Sequence, residues 1–211
     1  NTATSSSCTP YGASANRFCM RAHSIMRSLR HAATRRRKQM QCHGEFRYAI
    51  PMTLSSHDHF MNLALREAQK AATAGEVPAG CIIVNTADDR ELPVGAVIGR
   101  AHNQTELLRD PTAHAEMIAI TQAASAIGDW RLTGTALYVT KEPCPMCAGG
   151  IILARIPTVV YGVPDPKRGG ALSVFNILDH PNLNHRCEVV TGVMETECRD
   201  ILQSFFRARR G

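Results

Sequence analysis

One histidine, one glutamate and two cysteines are the residues of this sequence best suited to chemistry. His114 and Glu116 lie two positions apart, and Cys144 and Cys147 follow further along the chain. One imidazole and two thiolates can bind a tetrahedral Zn²⁺, and three protein ligands leave the fourth position open, as in catalytic zinc sites. A glutamate beside the metal can move protons without binding it. We therefore predict a hydrolytic site with His114, Cys144 and Cys147 as zinc ligands and Glu116 as the catalytic residue.

The segments around these residues would bring them together. Asp110 and Pro111 are typical of the N-cap and first residue of a helix, which would place the histidine and glutamate in its first turns. Pro143 lies where a second helix would begin, after the strand-like residues 136–139. Helix N-termini favour negative charge, so both are expected to point at the metal. The alternatives are a histidine of the core and a redox or structural cysteine pair.

Strands alternate with helices along the rest of the chain. Apolar spacing predicts helices over 59–74, 111–127, 144–154 and 195–209, and strands over 77–84, 94–98, 135–140, 158–163 and 187–193. The helix from residue 111 is expected to face the sheet with Met117, Ile118, Ile120, Thr121 and Ala124. The polar connection over 85–92 leaves the hairpin register open, and Gly149-Gly150 inside a helix indicates close packing on the sheet or a second subunit. The alternation predicts an α/β fold, a central mixed sheet with helices on its faces.

The positive charge is concentrated at the start of the chain. Residues 1–56 hold nine basic residues and one acidic residue, a net of +8, whereas the rest has a net of −2. We divide the chain into a basic, disordered N-terminal extension over 1–56 and a domain over 57–211. Residues 1–51 fit a transit peptide, an RNA-binding arm, or upstream sequence translated from a misplaced start. We favour the last, since Met52 directly precedes the domain.

The cysteine content and the hydropathy of the chain restrict its cellular location. The chain has eight cysteines and no secretory apolar segment before the domain, which indicates a reducing compartment in which the six cysteines outside the zinc site stay reduced. No apolar run approaches the roughly eighteen residues of a membrane span. A cytoplasmic protein is expected, or an organellar one if residues 1–51 are a genuine transit peptide.

The motif pattern resembles a known superfamily. H-x-E followed by P-C-x-x-C is similar to the signature of zinc nucleobase deaminases. From about residue 59 to 210 the chain resembles the bacterial tRNA-specific adenosine deaminase family. The matching segments are 76–78 (EVP), 110–116 (DPTAHAE), 138–140 (YVT), 142–144 (EPC), 180–181 (HP), 184–186 (NHR) and 205–210 (FFRARR). The last three lie outside the zinc motif that the whole superfamily shares.

This resemblance implies a fold, an activity and partners. It implies a three-layer α-β-α cytidine deaminase-like fold with a central mixed sheet, and one Zn²⁺ per subunit of a homodimer. The implied reaction converts adenosine to inosine at the wobble position of a tRNA anticodon stem-loop, with the ACG-reading arginine tRNA as the suggested substrate. Residues 57–211 would then be a zinc-dependent deaminase domain.

The resemblance also implies RNA-binding residues. Asn103 matches an asparagine that contacts the flipped nucleotide, and Asp165 an acid that holds the neighbouring ribose. In the family, the basic end of the last helix lies close to the phosphates of the tRNA loop. The matching residues here are Arg207, Arg209 and Arg210. Asn103 could instead cap a loop, and Asp165 could be a turn residue before a proline. The aromatic pair at 205–206 could stack on bases, but we favour core packing for it.

Two other functions stay open. The P-C-P-M-C sequence, with Pro145, is also common in guanine deaminases, so the runner-up is a guanine or cytosine deaminase acting on a free base or nucleoside. A catalytically silent RNA-binding subunit is the second alternative. The presence of Glu116 argues against it, because a silent subunit has no use for that carboxylate.

Overall fold

The computed structural model of the protein describes residues 54–89 and 91–210, of which 54–56 by their backbone alone. The extension predicted over 1–56 thus lies outside the described residues, apart from 54–56. Along the described residues the elements are α1 (Leu54–Thr73), β1 (Gly80–Asn85), β2 (Val97–His102), α2 (Thr105–Leu108), α3 (Ala115–Ile127), β3 (Thr135–Lys141), α4 (Pro145–Leu153), β4 (Thr158–Val163), β5 (Glu188–Thr191) and α5 (Glu195–Ala208).

The strands form one five-stranded sheet in the order β2-β1-β3-β4-β5. β1 runs antiparallel to both β2 and β3, whereas β3, β4 and β5 run parallel to one another. The predicted mixed sheet is therefore confirmed. Parallel neighbours need a crossover connection, and α4 provides it between β3 and β4.

Two apolar layers, one on each face of the sheet, form the core. In β1, Cys81 and Ile83 belong to the layer that contains residues of α3 and α4, and Ile82 and Val84 to the layer that contains residues of α1 and α5. Such alternation is expected for a strand buried on both faces. The predicted three-layer α-β-α architecture is confirmed. Among the described helices, none has both the length and the apolarity that crossing a membrane requires.

Most element boundaries follow the prediction. β4 covers the predicted residues 158–163, and β3, α4, β5 and α5 differ from their predicted ranges by at most two residues at either end. α1 begins five residues earlier than predicted, and β1 begins three residues later. α1 ends just before Gly75, whose φ of 79° turns the chain in a conformation that favours glycine.

The helix that carries Glu116 starts later than predicted. The sequence predicts Asp110 as its N-cap and Pro111 as its first residue, but α3 begins at Ala115 with His114 as N-cap. The Asp110 carboxylate accepts from the backbone N–H of Thr112 at 2.8 Å and from its hydroxyl at 2.7 Å. The prediction was wrong because an aspartate caps a local turn as readily as a helix.

The face that α3 buries agrees only in part with the prediction. Its fully buried residues are Ala115, Glu116, Ala119 and Ala123. Of the predicted residues, Ile118, Ile120 and Ala124 are half-buried and pack against the core, whereas Met117 is half-buried and Thr121 is exposed. A Cβ at Gly99 of β2 would lie 2.5 Å from the carbonyl oxygen of Ala119. Helix and sheet are so close here that only small side chains fit between them.

The connection between β1 and β2 is long, as predicted, and one buried asparagine holds it. Asn85 donates from Nδ2 to three carbonyl oxygens of the connection, at 2.9–3.2 Å. The β1–β2 ladder is irregular between Ile83 and Val84. As a result, β2 spans Val97–His102 instead of the predicted residues 94–98, which resolves the register that the sequence left open.

The glycine pair of α4 lies against α3 on one side only. A Cβ at Gly150 would lie 2.8 Å from Sδ of Met117, whereas a Cβ at Gly149 would meet no described atom within 4 Å. The pair was predicted to pack closely on the sheet or on a second subunit, whereas the close contact found is between two helices, at Gly150.

Gly80 sets the distance between α1 and the sheet. A Cβ there would overlap the carbonyl oxygen of Ala64 and lie 2.5 Å from the backbone nitrogen of Ala68. Both neighbours are backbone atoms of a buried helix, so they cannot rotate away. The contact depends on the absence of a side chain.

We predict that Gly80→Ala lowers the free energy of unfolding by about 2–3 kcal/mol, because α1 must move away from β1. Gly149→Ala is the matched control, and it should raise stability by at most about 1 kcal/mol through helix propensity. Urea denaturation followed by circular dichroism measures both. Equal effects of the two substitutions would contradict the close contact between α1 and the sheet.

Candidate active site

Three donor atoms meet where α3 and α4 begin. His114 is the N-cap of α3, Cys144 is the N-cap of α4, and Cys147 lies in the first turn of α4. Nδ1 of His114 lies 3.5 Å from Sγ of Cys144 and 3.4 Å from Sγ of Cys147, and the two sulfurs are 3.6 Å apart. The structure thus brings the three predicted metal ligands into one group, hereafter the metal triangle.

The metal triangle has the dimensions of a tetrahedral zinc site. Bonds of about 2.3 Å to sulfur and about 2.0 Å to nitrogen, at tetrahedral angles, place two sulfurs about 3.8 Å apart and sulfur and nitrogen about 3.5 Å apart. The measured separations lie within about 0.2 Å of these values. The residues present therefore fit Zn²⁺ held by three protein ligands.

The two thiols of the triangle differ in acidity. A hydrogen bond with Cys147, supported by His114, lowers the pKa of Cys144 to about 3 in spite of burial. The pKa of Cys147 is raised, first by the same hydrogen bond and then by burial. The protein alone thus favours one thiolate, and a cation is needed to favour the second.

Glu116 lies beside the metal triangle without belonging to it. It is the second residue of α3, and its side chain is buried. Burial raises the pKa of Glu116, while its own backbone N–H and the nearby His114 partly offset that effect. A buried carboxyl with a raised pKa next to a metal site is suited to take up and release a proton.

A cavity of about 210 Å³ opens beside Glu116, and we call it the inner cavity. The residues around Glu116 in its wall come from several parts of the chain: Val77, Ala79, Asn103, Thr105, His114, Lys141, Glu142, Cys144 and Arg168. Such a mixed polar and apolar wall, converging on one buried carboxyl, is typical of a small-molecule or nucleobase site.

Asn103 has one structural hydrogen bond and one free donor group. Its Oδ1 accepts from the backbone N–H of Ala115 at 3.0 Å, which satisfies one of the N–H groups exposed at the start of α3. Its Nδ2 has no acceptor among the described residues, and the side chain lines the inner cavity. The side-chain oxygen of Asn103 therefore has the capping role considered above, while its amide nitrogen is available to a ligand.

The wall next to Asn103 is held by Glu76, a buried residue that the sequence analysis missed. Its carboxylate accepts from the hydroxyl of Thr105 at 2.9 Å and from the backbone N–H of Leu107 at 2.8 Å. Burial alone would raise the pKa of Glu76, but these hydrogen bonds outweigh it and the pKa lies below its ordinary value. Glu76 thereby fixes α2, a short helix that was not predicted either.

Asp165 points into its own loop. Its Oδ2 pairs with the Lys141 ammonium, and its Oδ1 accepts from the backbone N–H groups of Lys167 at 3.1 Å and Arg168 at 3.2 Å. Burial would raise the pKa of Asp165, but the Lys141 hydrogen bond and the loop N–H groups lower it overall. Lys141 and Arg168 lie on the wall of the inner cavity and Asp165 does not. These contacts match the turn role considered for Asp165.

A second cavity of about 400 Å³, the outer cavity, shares His114, Cys144 and Arg168 with the inner one. Its wall also includes Lys167 and Phe175, both exposed. Basic and aromatic side chains around one depression are typical of contacts with nucleic-acid phosphates and unpaired bases. Lys167, Arg168 and Phe175 were not predicted as site residues, although the basic pair Lys167-Arg168 lies in a glycine-containing loop of the sequence.

The three C-terminal arginines are exposed, at the end of α5 and just after it. Nη2 of Arg209 donates to the carbonyl oxygen of Gly75 at 2.6 Å, and Arg207 and Arg210 face solvent. Gly75 lies two residues before Val77, which lines the inner cavity. The chain segment that Arg209 contacts therefore leads directly into the cavity wall.

The aromatic pair of α5 is not part of the core. Phe205 is half-buried, Phe206 is 40% exposed, and their rings meet edge to face with centroids 5.4 Å apart. The Arg209 guanidinium lies 4.8 Å from the centre of the Phe205 ring. The preference for core packing was wrong, because Cys198 and Leu202 are the residues that α5 buries.

The fold and the site together define a deaminase, and comparison with known families agrees. Residues 55–210 match the MafB19-like deaminase family. The chain is 45% identical over 157 residues to the tRNA-specific adenosine deaminase of Bacillus subtilis, an alignment that covers 74% of this chain and 92% of that protein. It is 46% identical over 153 residues to the Aquifex aeolicus tRNA-specific adenosine deaminase, covering 72% and 95% respectively. The chain belongs to the tRNA-specific adenosine deaminase family, as its motifs predicted.

Solved structures support the same assignment. A structure from work on A-to-I editing by tRNA:A34 deaminases aligns with a TM-score of 0.62 at 44% identity, covering 68% of this chain and 99% of that one. The guanine deaminase of Nitrosomonas europaea aligns with a TM-score of 0.60 at 18% identity, covering 75% and 85%. The second likeness shows a shared fold alone.

We predict that Glu76→Gln lowers the free energy of unfolding by about 1–3 kcal/mol at pH 7, because an amide cannot accept both hydrogen bonds as the carboxylate does. The pKa of Glu76 is below its ordinary value of 4.5, so its ionised form stabilises the fold above that pH. This stabilisation is lost as the pH falls through the folded-state pKa. The difference between wild type and variant should therefore shrink from pH 7 towards pH 3.

Urea denaturation at several pH values measures this difference. Glu106→Gln, an exposed residue of the same short helix, is the matched control and should leave the curve unchanged. A wild-type-to-variant difference that stays constant between pH 7 and pH 3 would contradict the role of the Glu76 carboxylate.

Proposed function

We propose that this protein is a tRNA adenosine deaminase, a hydrolase that converts adenosine to inosine at the wobble position of the anticodon. The observation that carries the proposal is a metal triangle with the separations of a zinc site, next to a buried glutamate and a cavity. The 45% identity to named tRNA-specific adenosine deaminases, over nearly their full length, supports the substrate.

The metal we propose is Zn²⁺, one per subunit, held by His114, Cys144 and Cys147. When bound, zinc supplies Lewis acidity that lowers the pKa of a coordinated water towards neutrality. The N-terminal ends of both helices favour the negative charge that the two thiolates would carry.

Glu116 is the proposed proton carrier. The net reaction adds water to C6 of adenine and releases ammonia, so both protons of the water must leave its oxygen: one ends on the ring nitrogen and the other on the departing amine. Glu116 lies in the wall of the inner cavity, and burial raises its pKa, so it can carry these protons one after the other. Glu116 does not belong to the metal triangle, so its carboxyl would not be one of the metal ligands.

The proposed RNA contacts extend outward from the inner cavity. Asn103 would donate from its free Nδ2 to the flipped adenine or its ribose. Asp165 remains the residue proposed near the neighbouring ribose, and its present contacts orient Lys141. We propose that phosphates of the anticodon stem-loop are bound by three exposed arginines, Arg207, Arg209 and Arg210.

We also propose a homodimer and a cytoplasmic location. An exposed Leu153 at the end of α4, and the open space at Gly149, leave that helix with room for a second copy of the chain. The relatives are tRNA-specific enzymes of bacteria, which supports the cytoplasm as the compartment where tRNA is used. The suggested substrate is the ACG-reading arginine tRNA.

We predict that Glu116→Gln retains the metal and the fold but loses turnover by on the order of 10²–10⁴-fold, because the amide cannot accept a proton. Elemental analysis, circular dichroism and inosine formation measure the three properties. Glu188→Gln, at an exposed residue of β5, is the matched control. Near-normal turnover in a zinc-loaded Glu116→Gln protein would refute the role of Glu116.

The substrate is tested by comparing an anticodon stem-loop, with adenosine at the wobble position, with free adenosine, adenine, guanine and cytosine. We expect inosine in the stem-loop and no turnover of the free compounds. Turnover of guanine or cytosine with an unchanged stem-loop would overturn the proposal in favour of a small-molecule deaminase. An intact, zinc-loaded protein inactive on every substrate would point to an RNA-binding subunit.

A further inference from the structure

Glu142 is a buried carboxylate next to the metal triangle that the proposed chemistry does not use. It is 2% exposed, and Pro143 alone separates it from Cys144. Its Oε1 accepts from the backbone N–H groups of Leu172 at 2.8 Å and Ser173 at 2.9 Å, and from that of Ala171 at 3.2 Å.

The other carboxylate oxygen binds the same loop. Oε2 of Glu142 accepts from the backbone N–H of Asp165 at 2.8 Å and from the Ser173 hydroxyl. Both oxygens are thus occupied by donors from residues 165–173, the segment that follows β4 and that we call the β4 loop. One side chain therefore holds both ends of the β4 loop.

Two glycines let the β4 loop approach this closely. A Cβ at Gly169 would overlap the Glu142 carboxylate, and a Cβ at Gly170 would lie 2.8 Å from the carbonyl carbon of Cys144. The N–H of Gly170 also donates to the carbonyl oxygen of Pro143 at 2.7 Å. The β4 loop is therefore packed directly on the turn that presents Cys144 to the metal.

The β4 loop carries Arg168, which lies in the wall of both the inner and the outer cavity. Its side chain is 72% exposed, and the nearest carboxylate, that of Asp165, is 3.9 Å from its Nε. An exposed guanidinium at this distance from one acid has donors left for a second anion. A nucleic-acid phosphate is the anion that a nucleotide bound in the inner cavity would bring beside it.

We propose that Glu142 is a positioning residue, which holds the β4 loop so that Arg168 binds an RNA phosphate next to the target adenosine. This inference rests on the proposed function. Glu142 lies in the wall of the inner cavity, but both of its carboxylate oxygens are occupied by donors of the β4 loop. It acts through Arg168, so its loss should weaken RNA binding and leave the chemistry of the bound adenosine intact.

The test compares Glu142→Gln, Arg168→Ala and the double variant on the anticodon stem-loop. Arg168→Ala should raise KM several-fold at unchanged kcat, and reduce the slope of log(1/KM) against log[salt] by about 0.7, the value for one single-strand phosphate contact. Glu142→Gln, which keeps the side-chain size but replaces one acceptor by a donor, should do the same. The double variant should be no worse than the weaker-binding single variant, because both changes remove one contact.

Several results would overturn this inference. Independent effects that multiply in the double variant would show that Glu142 does not act through Arg168. A fall in kcat with loss of bound metal would show that Glu142 supports the zinc site instead. An unchanged KM and salt slope in Glu142→Gln would also refute it. Glu188→Gln, an exposed glutamate on β5, is the matched control.

A milder variant covers the case in which Glu142→Gln does not fold. Ser173→Ala removes one hydroxyl donor from the same carboxylate and should raise KM in the same direction, with no added effect when Arg168 is already alanine. An unchanged KM in Ser173→Ala would then overturn the inference. A wild-type protein that forms no inosine in the stem-loop would overturn the proposed function, and this inference with it.

Discussion

The site depends on two helices that begin at the same point. His114 and Cys144 are both N-cap residues, a position usually taken by serine, threonine, aspartate or asparagine. Neither side chain caps its own helix, so backbone N–H groups remain directed towards the ligand atoms. Asn103 satisfies one of them, at Ala115. The negative charge of bound thiolates complements the rest, so the metal site and the helix ends stabilise each other.

This convergence in turn requires unusually small residues at three contacts. Gly80 allows α1 to lie on β1, Gly99 allows α3 to lie on β2, and Gly150 lets α3 and α4 approach each other. A glycine inside a helix is less favourable than alanine by about 1 kcal/mol, and Gly150 lies inside α4. The close approach brings the side chains at the two helix N-termini together, with Nδ1 of His114 3.5 Å from Sγ of Cys144 and 3.4 Å from Sγ of Cys147. Close packing here determines the geometry of the candidate metal site.

The sequence predicted the parts of this arrangement that depend on local pattern. The mixed sheet with helices on its faces follows from alternating elements, and the metal triangle follows from residue types and spacing that few other chemistries need. The order of the strands was not predicted. The start of α3 was missed because Asp110 has two local options of similar energy. Its most deeply buried residues were missed because apolar size predicts burial only where there is room, and at Gly99 only a small side chain such as that of Ala119 fits.

The long-range hydrogen bonds of buried polar side chains could not be predicted from the sequence pattern. Glu76 and Thr105 are 29 residues apart, and so are Glu142 and Ala171. Nothing near either glutamate indicates that its partners are backbone N–H groups of a distant segment. The same limit applies to Phe205, whose apolar character predicts burial although α5 places it beside Arg209 at the surface.

Three buried glutamates around one cavity show how environment separates roles. Glu76 and Glu142 each accept several hydrogen bonds from backbone N–H groups and hydroxyls, so their pKa values lie below the ordinary range although burial opposes this. Glu116 is also buried, its own N–H is its main backbone donor, and burial raises its pKa. A carboxylate surrounded by donors is a poor proton acceptor and a good anchor, whereas one with few donors is the reverse. The balance between burial and the number of donors therefore distinguishes the glutamate that can carry a proton from the two that hold the cavity walls.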